Sequence, residues 1–413
     1  MALRILHSEF LSHHVGLMQH LLTTERLLSS IAARPTASIL LDENTSSARE
    51  SKPSKVVTPF RTSESDPQNH SNSQLGRFYT VPEDIKQTIF KYGGLPRKFD
   101  DLTHVFTETS IMVRKPFLEI KDYVQRIDFN RPTVRIVLYG ETGLGKSMTL
   151  AHVVHYGFNA GFLLVHVPWV NSFIRRCKDI SQSESKPGMV DVPINAAAWL
   201  VHFRTQNQHI LEKGDFKTTK SYKYGPSDTI DAGAPIEQLI EFGVGRAKYA
   251  CDVVEDLLRE VKSASSSGLF RTMVVIDGFN GLFSPFVKTE RMKIKVINQK
   301  CTLALPFLEI SRFDWCNGVV VASVDRNAHT DPFNAESFLP LYLLGKEGLE
   351  HLDPFIPINV ERYNTAELNS AIDYYIDRHW IQHPAAKSEQ GRAELRIMSG
   401  GNAHELMKIC APL

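Results

Sequence analysis

Short, nearly uninterrupted apolar runs recur along the chain, separated by longer amphipathic stretches. The runs are Val134–Tyr139, Phe162–Val167, Thr272–Ile276, Gly318–Ala322 and Phe355–Val360. Strands that are apolar on both faces are typical of a parallel sheet with helices packed on each side. The pattern therefore predicts an α/β fold with a mainly parallel five-stranded sheet, and Pro357 indicates that the last strand lies at an edge.

Helical periodicity between these runs predicts the covering helices. Ile111–Val124 has the spacing of a helix interrupted near Pro116, and Met148–Val154 should form the helix that follows the first apolar run. The apolar spacing of residues 236–261, after Pro235, predicts one long helix. The alternation of strands and helices is that of an α/β domain.

The two ends of the chain differ from its middle. Residues 1–35 are apolar with interleaved arginines, which is typical of a mitochondrial presequence but also fits a surface or partner-binding helix. Residues 36–77 are rich in serine and proline, so we expect a disordered or partner-ordered extension. Near the other end, Asn364 and Glu367 have the spacing of a capping box, which predicts a small C-terminal helical lid domain over residues 361–413.

Composition narrows the function classes. The 413 residues carry 47 Lys and Arg against 46 Asp and Glu, and this balance argues against a protein that wraps nucleic acid by charge, so no DNA partner is expected. No run of about 18 apolar residues occurs, so we expect no membrane span. The five cysteines include no C-x-x-C pair, which disfavours a zinc site. The basic stretch Lys288–Lys295 could contact RNA phosphate, although such stretches are usually solvated surface.

One motif indicates the chemistry. The residues that match the phosphate-loop pattern G-x-x-x-x-G-K-[ST] are Gly140, Glu141, Thr142, Gly143, Leu144, Gly145, Lys146 and Ser147. The motif follows an apolar strand and opens a predicted helix, which is the context that a phosphate loop requires. Its glycines let backbone N–H groups turn toward a phosphate chain. We therefore assign residues 78–360 to a P-loop nucleotide-binding domain.

Three side chains carry the predicted binding roles. Lys146 would bring its ammonium to the β- and γ-phosphates, and Ser147 would offer a hydroxyl to Mg²⁺. Asp277 directly follows an apolar run, which is the position of the Walker-B carboxylate that supports the metal. The predicted metal ligands are Ser147 and Asp277, although an Asp-Gly turn alone would also account for Asp277.

The sequence offers no catalytic base. Gly278 follows Asp277, whereas many ATPases of the additional-strand class carry there a glutamate that orients the attacking water, and Glu141 is expected to face solvent. We therefore expect slow turnover or a structural nucleotide. Ser323 and Asp325 could sense the γ-phosphate or simply end a strand with polar residues. The guanine-reading N-K-x-D pattern is absent, so the residues alone do not choose between GTP or GDP and ATP.

Several segments stand in an order that matches a known family. They are Ser110–Pro116, Leu138–Glu141 with Gly145–Ser147, Val275–Asn280, Leu344–Gly348, Leu352–Ile358 and Tyr374–Tyr375 near Trp380. Over roughly residues 78–413 the chain resembles the family of death-associated protein three, the GTP-binding protein of the mitochondrial small ribosomal subunit.

The resemblance implies properties that the residues alone do not show. It implies import into the mitochondrial matrix and a place in the head of the small subunit, with contacts to ribosomal RNA, neighbouring proteins and large-subunit proteins across a bridge. It also implies an AAA-like P-loop fold that binds GTP or GDP with Mg²⁺ through Gly140–Ser147 and Asp277. The family is linked to apoptosis, a role that cannot be assigned to any particular residue of this sequence.

Functions of different classes follow from this sequence. The first is a structural nucleotide binder that supports mitochondrial translation and is at most a slow GTPase. The alternative is an AAA-like ATPase that acts in apoptotic signalling or in remodelling. A P-loop small-molecule kinase is a weaker third hypothesis, because kinases usually need an arginine-rich lid that the sequence does not reveal.

Overall fold

A computed structural model describes residues 59–177, 179–283, 288–289, 301–329 and 337–411. Within these residues the helices are α1 (Glu83–Ile89), α2 (Arg97–Phe106), α3 (Lys115–Arg126), α4 (Lys146–Asn159), α5 (Pro193–Leu211), α6 (Ile236–Gly245), α7 (Ala250–Ser266), α8 (Ala304–Ile310), α9 (Pro340–Leu352), α10 (Thr365–Asp377), α11 (Glu389–Ser399) and α12 (Ala403–Ile409). The strands are β1 (Phe78–Thr80), β2 (Ser110–Met112), β3 (Val134–Tyr139), β4 (Leu163–Val167), β5 (Arg176–Cys177), β6 (Ser181–Gln182), β7 (Val190–Asp191), β8 (Tyr222–Lys223), β9 (Thr229–Ile230), β10 (Thr272–Ile276), β11 (Lys288–Thr289), β12 (Gly318–Ser323) and β13 (Ile356–Asn359). The predicted presequence, residues 1–35, and most of the basic stretch 288–295 lie outside the described residues.

The central sheet contains the five strands that the sequence predicted. Their order is β13–β3–β12–β10–β4. Every neighbouring pair is parallel, with Val134 opposite Val319 and Thr272 opposite Gly318. The predicted α/β class is therefore confirmed, and β13 lies at an edge as Pro357 indicated.

The strand order brings two segments of chemical interest to one edge of the sheet. β3 leads into the loop that begins at Gly140, β10 leads into Asp277, and β12 lies between the two strands. The carboxyl ends of parallel strands meet at the same edge, where α/β proteins bind their ligands. An additional strand between the phosphate-loop strand and the Walker-B strand is the arrangement of AAA-like P-loop NTPases, so the predicted fold class holds.

Alternate residues of the sheet face two apolar layers, as the period of a strand requires. In β10, Val274 and Ile276 join a core cluster with residues of α5, α7 and α8. Met273 and Val275 join a second cluster with residues of α3 and α4. The sheet is thus covered on both faces. All five cysteines are free thiols, and no described helix is long and apolar enough to cross a bilayer.

The segment predicted as a helix over Ile111–Val124 begins as a strand. β2 pairs antiparallel with β1, and α3 begins only at Lys115. Pro116 lies in the first turn of α3, where a missing N–H costs little, so it starts the helix and does not interrupt it. Local periodicity could not reveal β2, because its partner strand lies elsewhere in the sequence.

The single helix predicted over residues 236–261 is two helices. α6 and α7 are separated by a short turn at Ala247–Tyr249, and Arg246 has φ −125° and ψ 74°, outside the helical region. Both helices bury side chains in the same core cluster. The apolar spacing therefore continues across the break and concealed it.

Residues 59–77 fold onto the domain, so the predicted boundary at residue 77 is wrong. Arg61 forms an ion pair with Asp377 at 2.8 Å. His70 is buried, and its Nδ1 atom lies 2.9 Å from Nε2 of His152. The serine-rich composition of this segment concealed these anchors.

The helices α10, α11 and α12 form what we call the C-terminal module, residues 361–411. The predicted capping box is present at its start: the N–H of Glu367 donates to Oδ1 of Asn364 at 2.9 Å, and the N–H of Asn364 donates to Oε2 of Glu367 at 3.0 Å. Tyr374 stacks on Phe78, with ring centroids 4.4 Å apart. The module is therefore packed on β1.

Candidate functional site

The loop between β3 and α4 has the backbone geometry of a phosphate cradle. Its glycines have positive φ, at 141° for Gly140, 87° for Gly143 and 96° for Gly145. A Cβ atom on Gly143 would lie only 2.6 Å from Oδ1 of Asn402. Glycine is thus required by both conformation and space. The positive end of α4 adds to the N–H groups of such a loop and suits an anion.

Lys146 is buried at the start of α4, with 4% of its surface exposed. Its ammonium group donates to the carbonyl oxygens of Gly140 and Glu141, both at 2.8 Å, and pairs with the carboxylate of Asp325 at 2.8 Å. An ammonium group has three donors, so each has an acceptor. A phosphate that enters the loop must replace at least one of these acceptors.

Asp277 meets Ser147, although β12 separates their strands. Ser147 hydrogen-bonds the carboxylate, and Oγ of Ser323 donates to Oδ1 of Asp277 at 2.5 Å. Burial raises the pKa of Asp277 to about 6, while the hydrogen bonds from Ser147 and Ser323 oppose that rise. Hydroxyl and carboxylate oxygens are ligands that Mg²⁺ accepts beside phosphate and water. The two predicted metal ligands are therefore close enough to share one ion.

The two polar residues at the end of β12 also lie in the site. Ser323 links two neighbours, because its Oγ accepts the N–H of Gly278 at 2.9 Å and donates to Asp277. Asp325 accepts the N–H of Asn327 at 2.7 Å through Oδ1. The sequence correctly grouped Ser323 and Asp325 with the loop, and their proposed sensing of a γ-phosphate stays a prediction.

Asn280 belongs to the site, and sequence reasoning missed it. This side chain is 3% exposed. Its Nδ2 donates to the carbonyl of Asp325 at 2.9 Å, and its Oδ1 accepts the N–H of Asp325 at 3.0 Å. The two-way pairing requires the ends of β10 and β12 to be neighbours, which only the strand order shows. Its place in the segment Val275–Asn280 was the only available signal.

The position after Asp277 is closed to a glutamate. Gly278 has φ 74°, and a Cβ atom there would lie 2.7 Å from the ring of Trp169. A larger residue would need both a strained backbone and a displaced indole. The structure therefore leaves no space for a water-orienting carboxylate at this position.

Consecutive residues of the loop are tied to the C-terminal module. Glu141 is partly exposed and pairs with Arg362 at 2.6 Å. Nδ2 of Asn402 donates to the carbonyl of Thr142 at 2.9 Å. The next carbonyl, of Gly143, accepts an N–H from the first turn of α12 at 3.1 Å. The loop is thus supported from outside the nucleotide-binding domain.

Arg114 provides a further tie between the loop and the module. Its Nη1 donates to the carbonyl of Leu144 at 2.7 Å, and its Nε pairs with Oε1 of Glu367 at 3.0 Å. Its Nη2 donates to the carbonyl of Glu361 at 2.8 Å. The structure shows a buried residue that precedes α3 and joins three chain segments.

Comparison with known proteins decides the family. A family model described as mitochondrial ribosomal death-associated protein 3 matches residues 111–409, a range that includes the loop and Asp277. The chain belongs to this family. The resemblance inferred from the sequence is therefore confirmed.

Two relatives align with most of the chain. Small ribosomal subunit protein mS29 of Mus musculus is 33% identical over 356 residues, which cover 86% of this chain and 90% of the relative. The protein of the same name from Bos taurus is 34% identical over 353 residues, which cover 86% and 88%. Among solved structures, that of C. elegans PCH-2 aligns with 82% of this chain and 68% of its own, at 12% identity and a TM-score of 0.28.

We expect Asp277→Asn to stabilise the metal-free protein at neutral pH. The pKa of Asp277 rises from 3.8 to about 6 on burial, so the wild type loses folding stability as the pH increases through that interval. Chemical denaturation in EDTA should show a gain of about 3 kcal/mol for the variant at pH 7.5 and a smaller gain at pH 5. Exposed Asp101→Asn is the matched control. Equal stabilities of wild type and Asp277→Asn at pH 7.5 would contradict a buried, ionised carboxylate.

Arg114→Met should destabilise the fold by about 3 kcal/mol, because it leaves the carboxylate of Glu367 buried without its cation. The control is Arg126→Met, which breaks an exposed ion pair with Asp122 on α3 and should cost less than about 1 kcal/mol. Both values come from chemical denaturation. A loss no larger for Arg114→Met than for Arg126→Met would show that the buried tie is unimportant for stability.

Proposed function

We propose that this protein is a nucleotide-binding structural component of the mitochondrial small ribosomal subunit, located in the mitochondrial matrix. The observation that carries the proposal is the family match over residues 111–409, together with near full-length alignment to relatives that are named small ribosomal subunit proteins. A place in the head of the subunit, contacts with ribosomal RNA and a bridge to large-subunit proteins are part of the same proposal. They rest on the family resemblance.

The nucleotide part of the proposal rests on the loop. Its glycine conformations, the helix N-terminus and the ammonium of Lys146 suit a polyphosphate chain. Ser147 and Asp277 would hold Mg²⁺, whose contribution is to neutralise phosphate charge. We propose GTP or GDP as the ligand, with ATP as the alternative, since family resemblance favours guanine and no described contact reads the base.

The surroundings of Asp277 support slow turnover at most. Trp169 occupies the space that a side chain at Gly278 would need, and Glu141 is engaged with Arg362. Without a positioned base, hydrolysis lacks much of its assistance. A signalling or remodelling ATPase, including one with an apoptotic role, needs repeated turnover. The geometry therefore supports a nucleotide that is held as a structural ligand better than it supports an ATPase with repeated turnover.

Purified protein should release a purine nucleotide on denaturation, and mass spectrometry of that nucleotide identifies the base and the phosphate count.

Lys146→Ala should weaken nucleotide binding at least about tenfold, because it removes a charged donor to phosphate. Lys115→Ala, at an exposed position in the first turn of α3, is the matched control. If the protein takes up no guanine or adenine nucleotide, with or without Mg²⁺, the nucleotide part of the proposal is contradicted.

The ribosomal part has a separate test. Sedimentation of a mitochondrial extract should place the protein with the small subunit, and the association should persist at salt concentrations that release loosely bound proteins. Lys146→Ala should reduce the recovered fraction if the bound nucleotide stabilises the assembled form. Recovery of the wild type only among free soluble proteins would contradict a structural role in the ribosome.

A further inference from the structure

Asp325 holds the lysine that a nucleotide needs. Its Oδ2 atom lies 2.8 Å from Nζ of Lys146, and the two side chains are 12% and 4% exposed. Lys146 is the residue proposed to contact the β- and γ-phosphates. A second carboxylate, that of Asp277, stands at the end of the neighbouring strand. One acidic group therefore pairs with the ammonium, and a second lies near enough to interact with it electrostatically.

The carboxylate of Asp325 is held in place by the surrounding structure. Asn280 binds both the N–H and the carbonyl of Asp325, at 3.0 and 2.9 Å. The other carboxylate oxygen, Oδ1, accepts the N–H of Asn327 at 2.7 Å. Because backbone and side chain are both fixed, the carboxylate cannot turn away from Lys146 without losing a hydrogen bond. An incoming ligand must adapt to it.

The donors of Lys146 divide into two kinds. Two of them point to the carbonyl oxygens of Gly140 and Glu141, which are neutral and belong to the loop itself. A β-phosphate seated in the loop can take these donors, because a phosphate oxygen is a stronger acceptor than a carbonyl. The third donor is engaged by an anion. A γ-phosphate, which shares the metal with the Walker-B carboxylate, would approach the side where Asp325 stands.

We propose that Asp325 makes this pocket select a nucleoside diphosphate over the corresponding triphosphate. The inference rests on the proposed nucleotide-binding function and adds a specificity to it. The carboxylate acts in two ways, by occupying a lysine donor that the γ-phosphate needs and by repelling its negative charge at short range. Neither effect reaches the β-phosphate to the same degree, because that group is held by the loop.

The opposite role would be a metal ligand or a γ-phosphate sensor, and it predicts the opposite sign. A carboxylate that bound Mg²⁺ or positioned the γ-phosphate would strengthen triphosphate binding, and its neutral form would weaken it. The contact with Lys146 favours the first role, since a carboxylate already paired with the lysine competes with phosphate. Replacing the charge while keeping the shape separates the two roles.

The test uses full-length protein stripped of nucleotide, with GDP and the non-hydrolysable triphosphate GMPPNP titrated calorimetrically in Mg²⁺ and in EDTA. ADP and AMPPNP are run beside them. The wild type should bind the diphosphate at least about tenfold more tightly than the triphosphate. Asp325→Asn should tighten triphosphate binding by about tenfold and change diphosphate binding by less than about threefold. Asp314→Asn, at an exposed carboxylate that pairs with Lys262, is the matched control.

Each result of these titrations either supports or overturns the inference about Asp325. Weaker triphosphate binding by Asp325→Asn overturns the inference in favour of a metal ligand or sensor. An unchanged ratio of diphosphate to triphosphate affinity also overturns it, while leaving the proposed nucleotide-binding function intact. If the wild type binds none of the four nucleotides, the proposed function fails and the inference fails with it. Asn280→Ala provides a second variant. It removes the two hydrogen bonds that hold the backbone of Asp325, so it should reduce the preference for diphosphate over triphosphate while the carboxylate stays charged.

Discussion

The parallel pairing of β3, β12 and β10 is the constraint on which the candidate site depends. Parallel strands end at one edge, so residues far apart in the sequence become neighbours there. The phosphate loop follows β3, Ser323 ends β12 and Asp277 follows β10. A shift of β12 by one residue would turn Ser323 to the other face of the sheet and separate it from Asp277. The register of three apolar strands thus determines the chemistry of their ends.

This dependence explains what the sequence could and could not predict. The five strands, the loop and Asp277 follow from local patterns, and each was found where it was expected. Asn280 and Arg114 were not understood, because their roles consist of contacts with distant residues: Asn280 binds a residue 45 positions away, and Arg114 binds residues 30 and 253 positions away. β2 was missed for the same reason. Residues 59–77 were assigned to a disordered or partner-ordered extension because they contain few large apolar residues, whereas Arg61 and His70 anchor the segment by polar contacts.

The loop is part of two structural units at once. Its peptide groups belong to the nucleotide-binding domain, but its carbonyls and one carboxylate bind Asn402, Arg114 and Arg362 around the C-terminal module. A ligand in the loop would therefore stabilise more than the loop, since binding to the folded state raises the stability of every group that the site requires. If the protein binds a nucleotide without turnover, as proposed, the free energy of binding is retained as structural stability.

The contact between Gly278 and Trp169 also bears on how such a protein can change over generations. A single replacement that introduces an acidic side chain at position 278 requires an unfavourable backbone angle and clashes with the indole ring of Trp169. It would therefore lower the stability of the fold. Substitution of the tryptophan alone removes packing and brings no carboxylate. Neither replacement alone introduces a carboxylate without a clash, so positions 278 and 169 are coupled and would have to change together.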